Sequence, residues 1–204
     1  YHNVRSYYLR VYEAKFVLGA IAAALSESDE IGYIADYPIY GTPTSINAFA
    51  LGAQMVNPRA QIVLEWSTLP GHSPEAALAA RGVHIISSRD ISAPHLESRA
   101  FGLYHEQDGV IANLAMPIWN WGKLYEGIVR SILTGAWSDE GEHNADRAMN
   151  YYMGMSTDAI DIICSQRLPA RTRRLVDLLH ERIRAGAFLP FVGPIVDQAG
   201  QVHV

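Results

Sequence analysis

The sequence predicts an α/β fold in which strands and helices alternate, and three observations carry that prediction. Residues 31–66 read as strand, loop, helix and strand. A third apolar run, VHIISS at 83–88, follows a short helical stretch. The 204 residues are 49% hydrophobic and 18% charged, enough for one large core or two small lobes. The first observation says most. IGYIA ends at Asp36, a loop with Pro38, Gly41 and Pro43 follows, helical spacing runs to the Asn57-Pro58 stop, and QIVLEW closes the unit. Such a βαβ unit requires parallel strands joined by a right-handed crossover. Parallel sheets bind ligands at the carboxyl ends of their strands, so residues 36–42 lie where a ligand would lie.

The elements follow in order. Residues 1–8 are short, aromatic and extended, the end of a strand. Val11–Leu25 places Val11, Phe16, Val17, Leu18, Ile21, Ala22 and Leu25 at helical spacing, and its Ala and Gly content allows close packing on a neighbour. Thr42-Pro43 opens the next helix, with Gly52 on one face. After Trp66, Ser73-Pro74-Glu75 supplies an N-cap and a first-turn proline for a helix that stops at Gly82. Residues 83–88 form a strand, 93–99 a short helix, and 101–104 a brief strand. Gln107-Asp108-Gly109 turns the chain into a strand over 110–118, whose Pro117 marks an edge or a crossing segment. Residues 121–137 are an amphipathic helix with Leu124, Ile128, Ile132 and Leu133 inward. A polar loop over 138–146 leads to a strand at 149–155 and a helix at 156–165, with Ser156 as N-cap and Asp158 in its first turn. A terminal helix over 169–185 ends at Gly186, and the tail folds as a hairpin around Asp197-Gln198-Ala199-Gly200.

Composition excludes several functions. A formal charge of -5 argues against nucleic-acid binding by this segment, because phosphate affinity needs clustered Lys and Arg. The one basic cluster, Arg171, Arg173 and Arg174, opens a helix that also carries acids, and reads as a solvated face. The single cysteine, Cys164, excludes an internal disulfide and a cysteine metal cluster. His72, His84, His95, His105 and His143 show no paired ligand spacing, so no metal or other cofactor is expected. Neither a Gly-x-Ser-x-Gly elbow nor a Gly-rich phosphate loop is present. No apolar run reaches the roughly 18 residues of a membrane span. Starting at Tyr1, the chain reads as an excised or processed piece.

Four stretches, RVYEAKFVLGAIAAAL, IGYIADYPIYGTPTSINAFALGAQMVNPRAQIVLEW, IWNWGKLYEGIVRSILTGAW and FVGPIVDQAG, resemble the basic membrane protein family. That family is a branch of periplasmic binding proteins that includes purine-nucleoside-binding lipoproteins. INAFALGAQMVNP and WNWG are the most specific parts, and the likeness runs nearly end to end. The resemblance implies a type I periplasmic-binding-protein-like fold, a parallel sheet flanked by helices. It corresponds mainly to the second lobe plus crossing segments, without most of the first lobe. Within a single unit, residues 1–30 would supply a crossing strand and helix, 31–135 the core of the second lobe, and 136–204 terminal helices and a hairpin tail. The link between Trp66 and Val83 is shorter than the family leads one to expect.

Candidate ligand-binding residues cluster at strand ends. Asp36, Tyr37 and Tyr40 offer a carboxylate and two aromatics for a planar ring; the alternative is a loop whose tyrosines cover the lobe. Trp66, Trp119, Asn120 and Trp121 sit at strand ends, where tryptophan suits a stacking wall better than a parallel-sheet core; the alternative is structural tryptophan at a lobe junction. By resemblance, Trp119 stands where some nucleoside-binding members carry a sugar-reaching Lys, which favours a bare base. Glu106 in GLYHEQ matches the family's Gly-x-x-x-Asp-Gln element, whose acid binds sugar hydroxyls; it also reads as a surface acid before a turn. Arg89 and Asp90 are cleft candidates or a local ion pair.

The expected function is therefore non-catalytic binding of a purine base or nucleoside. A transporter would present the closed form to an ABC permease, extracytoplasmic and membrane-anchored by resemblance. The alternative is the sensing domain of a regulator, fused to a signalling or DNA-binding segment and cytoplasmic. A nucleoside glycosidase using Asp36, Asp90 or Glu106 stays open, although nothing in the sequence demands it. An apolar face left bare by the absent first lobe would favour self-association.

Overall fold

In the computed structural model, residues 4–90, 99–137 and 151–203 are described. The strands are β1 (Tyr7–Leu9), β2 (Glu30–Ala35), β3 (Gln61–Trp66), β4 (Ile85–Ser87), β5 (Leu103–Gln107), β6 (Val110–Trp119), β7 (Tyr151–Met153), β8 (Ile160–Cys164), β9 (Ile195–Val196) and β10 (Val202–His203). The helices are α1 (Val11–Leu25), α2 (Thr42–Val56), α3 (Pro74–Ala80), α4 (Trp121–Leu133) and α5 (Ala170–Arg184).

Six strands form the main sheet in the order β3-β2-β4-β5-β6-β8. The βαβ reading of residues 31–66 is observed: β2 pairs in parallel with β3 on one side and β4 on the other. The sheet is not parallel throughout, however. β5 runs antiparallel to β4 and β6, and β8 runs antiparallel to β6. The reversal between β5 and β6 is local chemistry, since Asp108 and Gly109 both take positive φ (52° and 76°) in a two-residue hairpin turn.

Alternation along β2 assigns the faces. Ile31, Tyr33 and Ala35 belong to the large core beneath α1, α2 and α5. Ile34 points the other way, into a smaller cluster with Leu78 of α3, Ile86 and Tyr104. The large core draws on residues from Leu9 to Ile183, so distant parts of the chain share it. Two glycines bring α1 and α2 together. A Cβ on Gly19 would sit 1.9 Å from the Phe49 carbonyl oxygen, and one on Gly52 the same distance from that of Phe16. The small-residue content of α1 is thus used for direct backbone approach.

β1 and β7 form a separate parallel pair leading into and away from this body, with Tyr7 opposite Tyr151 and Tyr8 opposite Tyr152. α4 leaves the end of β6, and of its residues only Leu124 is buried. The inward positions expected for Ile132 and Leu133 are therefore corrected: both are exposed, because no described element packs over that face. The helix expected over 156–165 is also corrected. Met155–Thr157 is one 3-10 turn, Asp158 ends it with φ 57°, and the β-branched run that follows is drawn into β8 beside β6. The tail hairpin of β9 and β10 is present. The expected helix at 93–99 and loop at 138–146 fall on or largely on residues outside the described ones.

Candidate functional site

The directions of the strands decide which candidates meet. β2, β3, β4 and β6 all deliver their carboxyl ends to one end of the sheet, where a cleft of about 430 Å³ opens. Asp36 follows β2, Arg89 and Asp90 follow β4, Trp119 ends β6, and Tyr40 rises from the loop before α2; all five line the cleft. Tyr40 meets Tyr8 of β1 edge-on at 5.2 Å, and Tyr8 stacks on Tyr152 at 5.5 Å.

Five candidates lie elsewhere. Glu106 sits at the opposite end of the sheet, because β5 is antiparallel: it pairs with Ile111, and its backbone N–H donates to the His84 carbonyl. Trp66 packs against the large core beside Ala35. Tyr37 is exposed and outside the cleft lining. The Asn120 side-chain amide donates to the Asp158 carbonyl at 2.8 Å, which ties the start of α4 to the turn before β8. Trp121, at the first position of α4, meets Tyr7 edge-on at 6.1 Å.

The cleft floor contains a residue absent from the sequence candidates. Lys15 of α1 is 2% exposed, and its Nζ donates to Asp90 Oδ1 at 2.6 Å and to Ser87 Oγ at 3.3 Å. The same ammonium lies 5.3 Å from the centre of the Tyr33 ring. Burial by itself lowers the Lys15 pKa; the Asp90 carboxylate and Tyr33 outweigh it and hold the group above its ordinary value. Burial pushes the Tyr33 phenol up in turn. The available signal was a lysine within the apolar stretch AKFVLGAIAAAL, on a helix too apolar to have a solvated side there.

At the rim, Arg89 Nε lies 3.7 Å from Asp36 Oδ1, and Asp36 also accepts from the Ser67 hydroxyl. Among the described residues, the four charges lining the cleft form two opposite pairs, Lys15 with Asp90 and Arg89 with Asp36. Uncharged walls come from Tyr8, Tyr33, Tyr40 and Trp119. Such a site offers stacking faces and carboxylate acceptors, and its described residues carry no surplus charge to attract a phosphate or a carboxylate. Among the described residues, no group of three or more His, Cys, Asp or Glu is arranged to hold a metal ion, and no helix is long and apolar enough to cross a membrane.

Residues 1–79 match the family model described as ABC transporter substrate-binding protein, PnrA-like. A purine-binding protein of Brucella abortus is 28% identical over 97% of this chain and 58% of its own length. A putative ABC transporter glucose-binding protein of Haloferax volcanii is 31% identical over 66% of this chain and 38% of its own. The chain thus spans about half the length of these curated relatives. Among solved structures, a solute-binding protein of an ABC transporter system from Conexibacter woesei superposes with a TM-score of 0.60 at 15% identity, over 92% of this chain and 65% of that one. A transcriptional activator of the comK gene from Bacillus halodurans gives 0.63 at 14% identity, over 90% and 66%. At these identities the two structures speak for the fold alone.

Proposed function

From the match of residues 1–79 to the family of ABC transporter substrate-binding proteins, PnrA-like, and the likeness to two binding proteins, we propose that the chain is a member of this family and binds a small, neutral, planar metabolite of the purine type, reversibly and without chemistry on it. The observation that carries this reading is the cleft at the carboxyl ends of β2, β4 and β6, with aromatic walls and charges that cancel in pairs. Its 430 Å³ lies within the range of about 300–1,000 Å³ usual for small-ligand sites. Tyr40 and Trp119 supply ring faces, and Asp36 and Asp90 supply acceptors for N–H groups on the ligand's edge. Glu106 has no part in this reading, because it lies at the far end of the sheet.

The proposed cycle is closure of the family's first lobe over this cleft about the β1–β7 pair, giving a closed surface for a membrane permease to read. It carries with it an extracytoplasmic location. Ligand sensing by a regulator is the second reading, supported only by the fold likeness to the activator. The name of the haloarchaeal relative makes a sugar the competing ligand class.

A thermal-shift series on the full protein with adenine, guanine, their nucleosides and glucose tests the proposal. A purine at a hundredfold excess over its Kd should stabilise the fold by about 2.7 kcal/mol and raise the melting temperature accordingly. A shift with glucose and none with any purine would replace the purine reading by a sugar one.

A further inference from the structure

We propose that Lys15 is a positioning residue for ligand selection: it anchors one oxygen of Asp90 so that the other is offered to the cleft as a fixed, ionised acceptor, which selects a ligand edge carrying adjacent N–H donors. The inference rests on the proposed purine reading and names the class of purine, a guanine-like ring presenting a ring N–H beside an exocyclic amino group.

The geometry supports each step. Lys15 lies wholly inside the protein, yet its Nζ reaches Asp90 Oδ1 at 2.6 Å, with Ser87 Oγ at 3.3 Å. Asp90 keeps 18% side-chain exposure and lines the cleft, and no described residue donates to its Oδ2. A pair in which one member is sealed and the other faces the cleft leaves a single acceptor direction. An ion pair buried at this depth is weak evidence for stability, since apolar replacement of both members is often neutral, so its retention at a cleft floor calls for another reason. Asp and Glu carboxylates accept from amino groups on base edges, whereas Asn pairs with the donor–acceptor edge of adenine. Among the described residues, the other charged or titratable groups of the cleft are Tyr33 from β2, Asp36 and Arg89 at the rim, already joined to each other, Tyr40 from the loop before α2, and Tyr8 from β1. None of these described groups supplies a second free cation to take the place of Lys15 within the floor.

The test is calorimetric titration of the full protein, wild type and the variants Lys15→Met, Asp90→Asn and the double variant, with guanosine, adenosine and their bases at pH 5.5, 7.0 and 8.0. The wild type should prefer guanine-type ligands by about tenfold or more, with a flat pH profile. In Lys15→Met the stranded carboxylate should take up a proton, so guanine affinity should fall and climb again with rising pH. Asp90→Asn should lose the preference or move it toward adenine. The double variant should melt closer to the wild type than either single variant while still lacking the preference, which separates selection from stability. An adenine preference in the wild type, or Lys15→Met keeping the wild-type preference and flat profile, would overturn the role of Lys15 alone. A wild type that binds no purine would overturn the purine reading and this inference together.

Discussion

At the scale of single residues, the second buried charge on α1 is as informative as the first. Glu13 is 2% exposed; it accepts the Met155 backbone N–H at 2.7 Å and meets Arg10 Nε at 3.1 Å. Gly154 passes so close that a Cβ there would sit 2.3 Å from Glu13 Oε2. One carboxylate thus fastens the start of α1 to the turn after β7, joining the two segments that enter and leave the body. Glu13→Ala strands a buried N–H, and should destabilise the fold by about 1–3 kcal/mol in denaturant titration. Burial outweighs the Met155 N–H and Arg10, so the Glu13 pKa is raised above the ordinary value of 4.5. A raised acid favours the folded state most below its unfolded value and loses that contribution as pH climbs through the folded one. The stability of wild type relative to Glu13→Gln should therefore decline from pH 4.5 upward and then level off. An increase over that window would show that the hydrogen bonds, not burial, dominate.

At the scale of elements, the α1–α2 contact is set by two reciprocal approaches, Gly19 to the Phe49 carbonyl and Gly52 to that of Phe16. In an exposed helix, Gly→Ala stabilises by roughly 1 kcal/mol. Here the added methyl has no space, so Gly19→Ala and Gly52→Ala should each destabilise by about 1–3 kcal/mol or more, with α1 and α2 forced apart. Melting temperature reads this directly, and a rise in either variant would contradict the packing described. β8 shows the limit of local reading. IDIIC is five residues long, and a run that short has no distinctive period until the unpaired edge of β6 selects extended backbone for it.

At the scale of the molecule, α4 keeps an apolar face that no described element covers. Tyr125, Val129, Ile132 and Leu133 are all exposed, Leu133 to 81%. Apolar faces of this kind are covered in a stable assembly. The 204-residue chain by itself should therefore associate through α4, and Val129→Glu with Leu133→Glu should shift sedimentation toward monomer. A strictly monomeric wild type would show the face too small to drive association.

The sequence by itself determined what depends on local pattern and chemistry. The βαβ unit, the α3 cap at Ser73, the Asp108-Gly109 turn and the tail hairpin follow from periodicity and turn residues, and the placement of Asp36, Tyr40, Arg89, Asp90 and Trp119 at strand ends follows from them. Only the tertiary structure decided strand direction beyond β4, and with it the removal of Glu106 to the far end of the sheet. It also decided that the Asn120 amide meets the Asp158 carbonyl, that Trp66 lies against the large core, and that Lys15 reaches the cleft floor. The reason is physical: spacing fixes which face a side chain takes, whereas pairing partners across the sheet, distant in sequence, fix which end of the sheet it reaches and which charge it meets there.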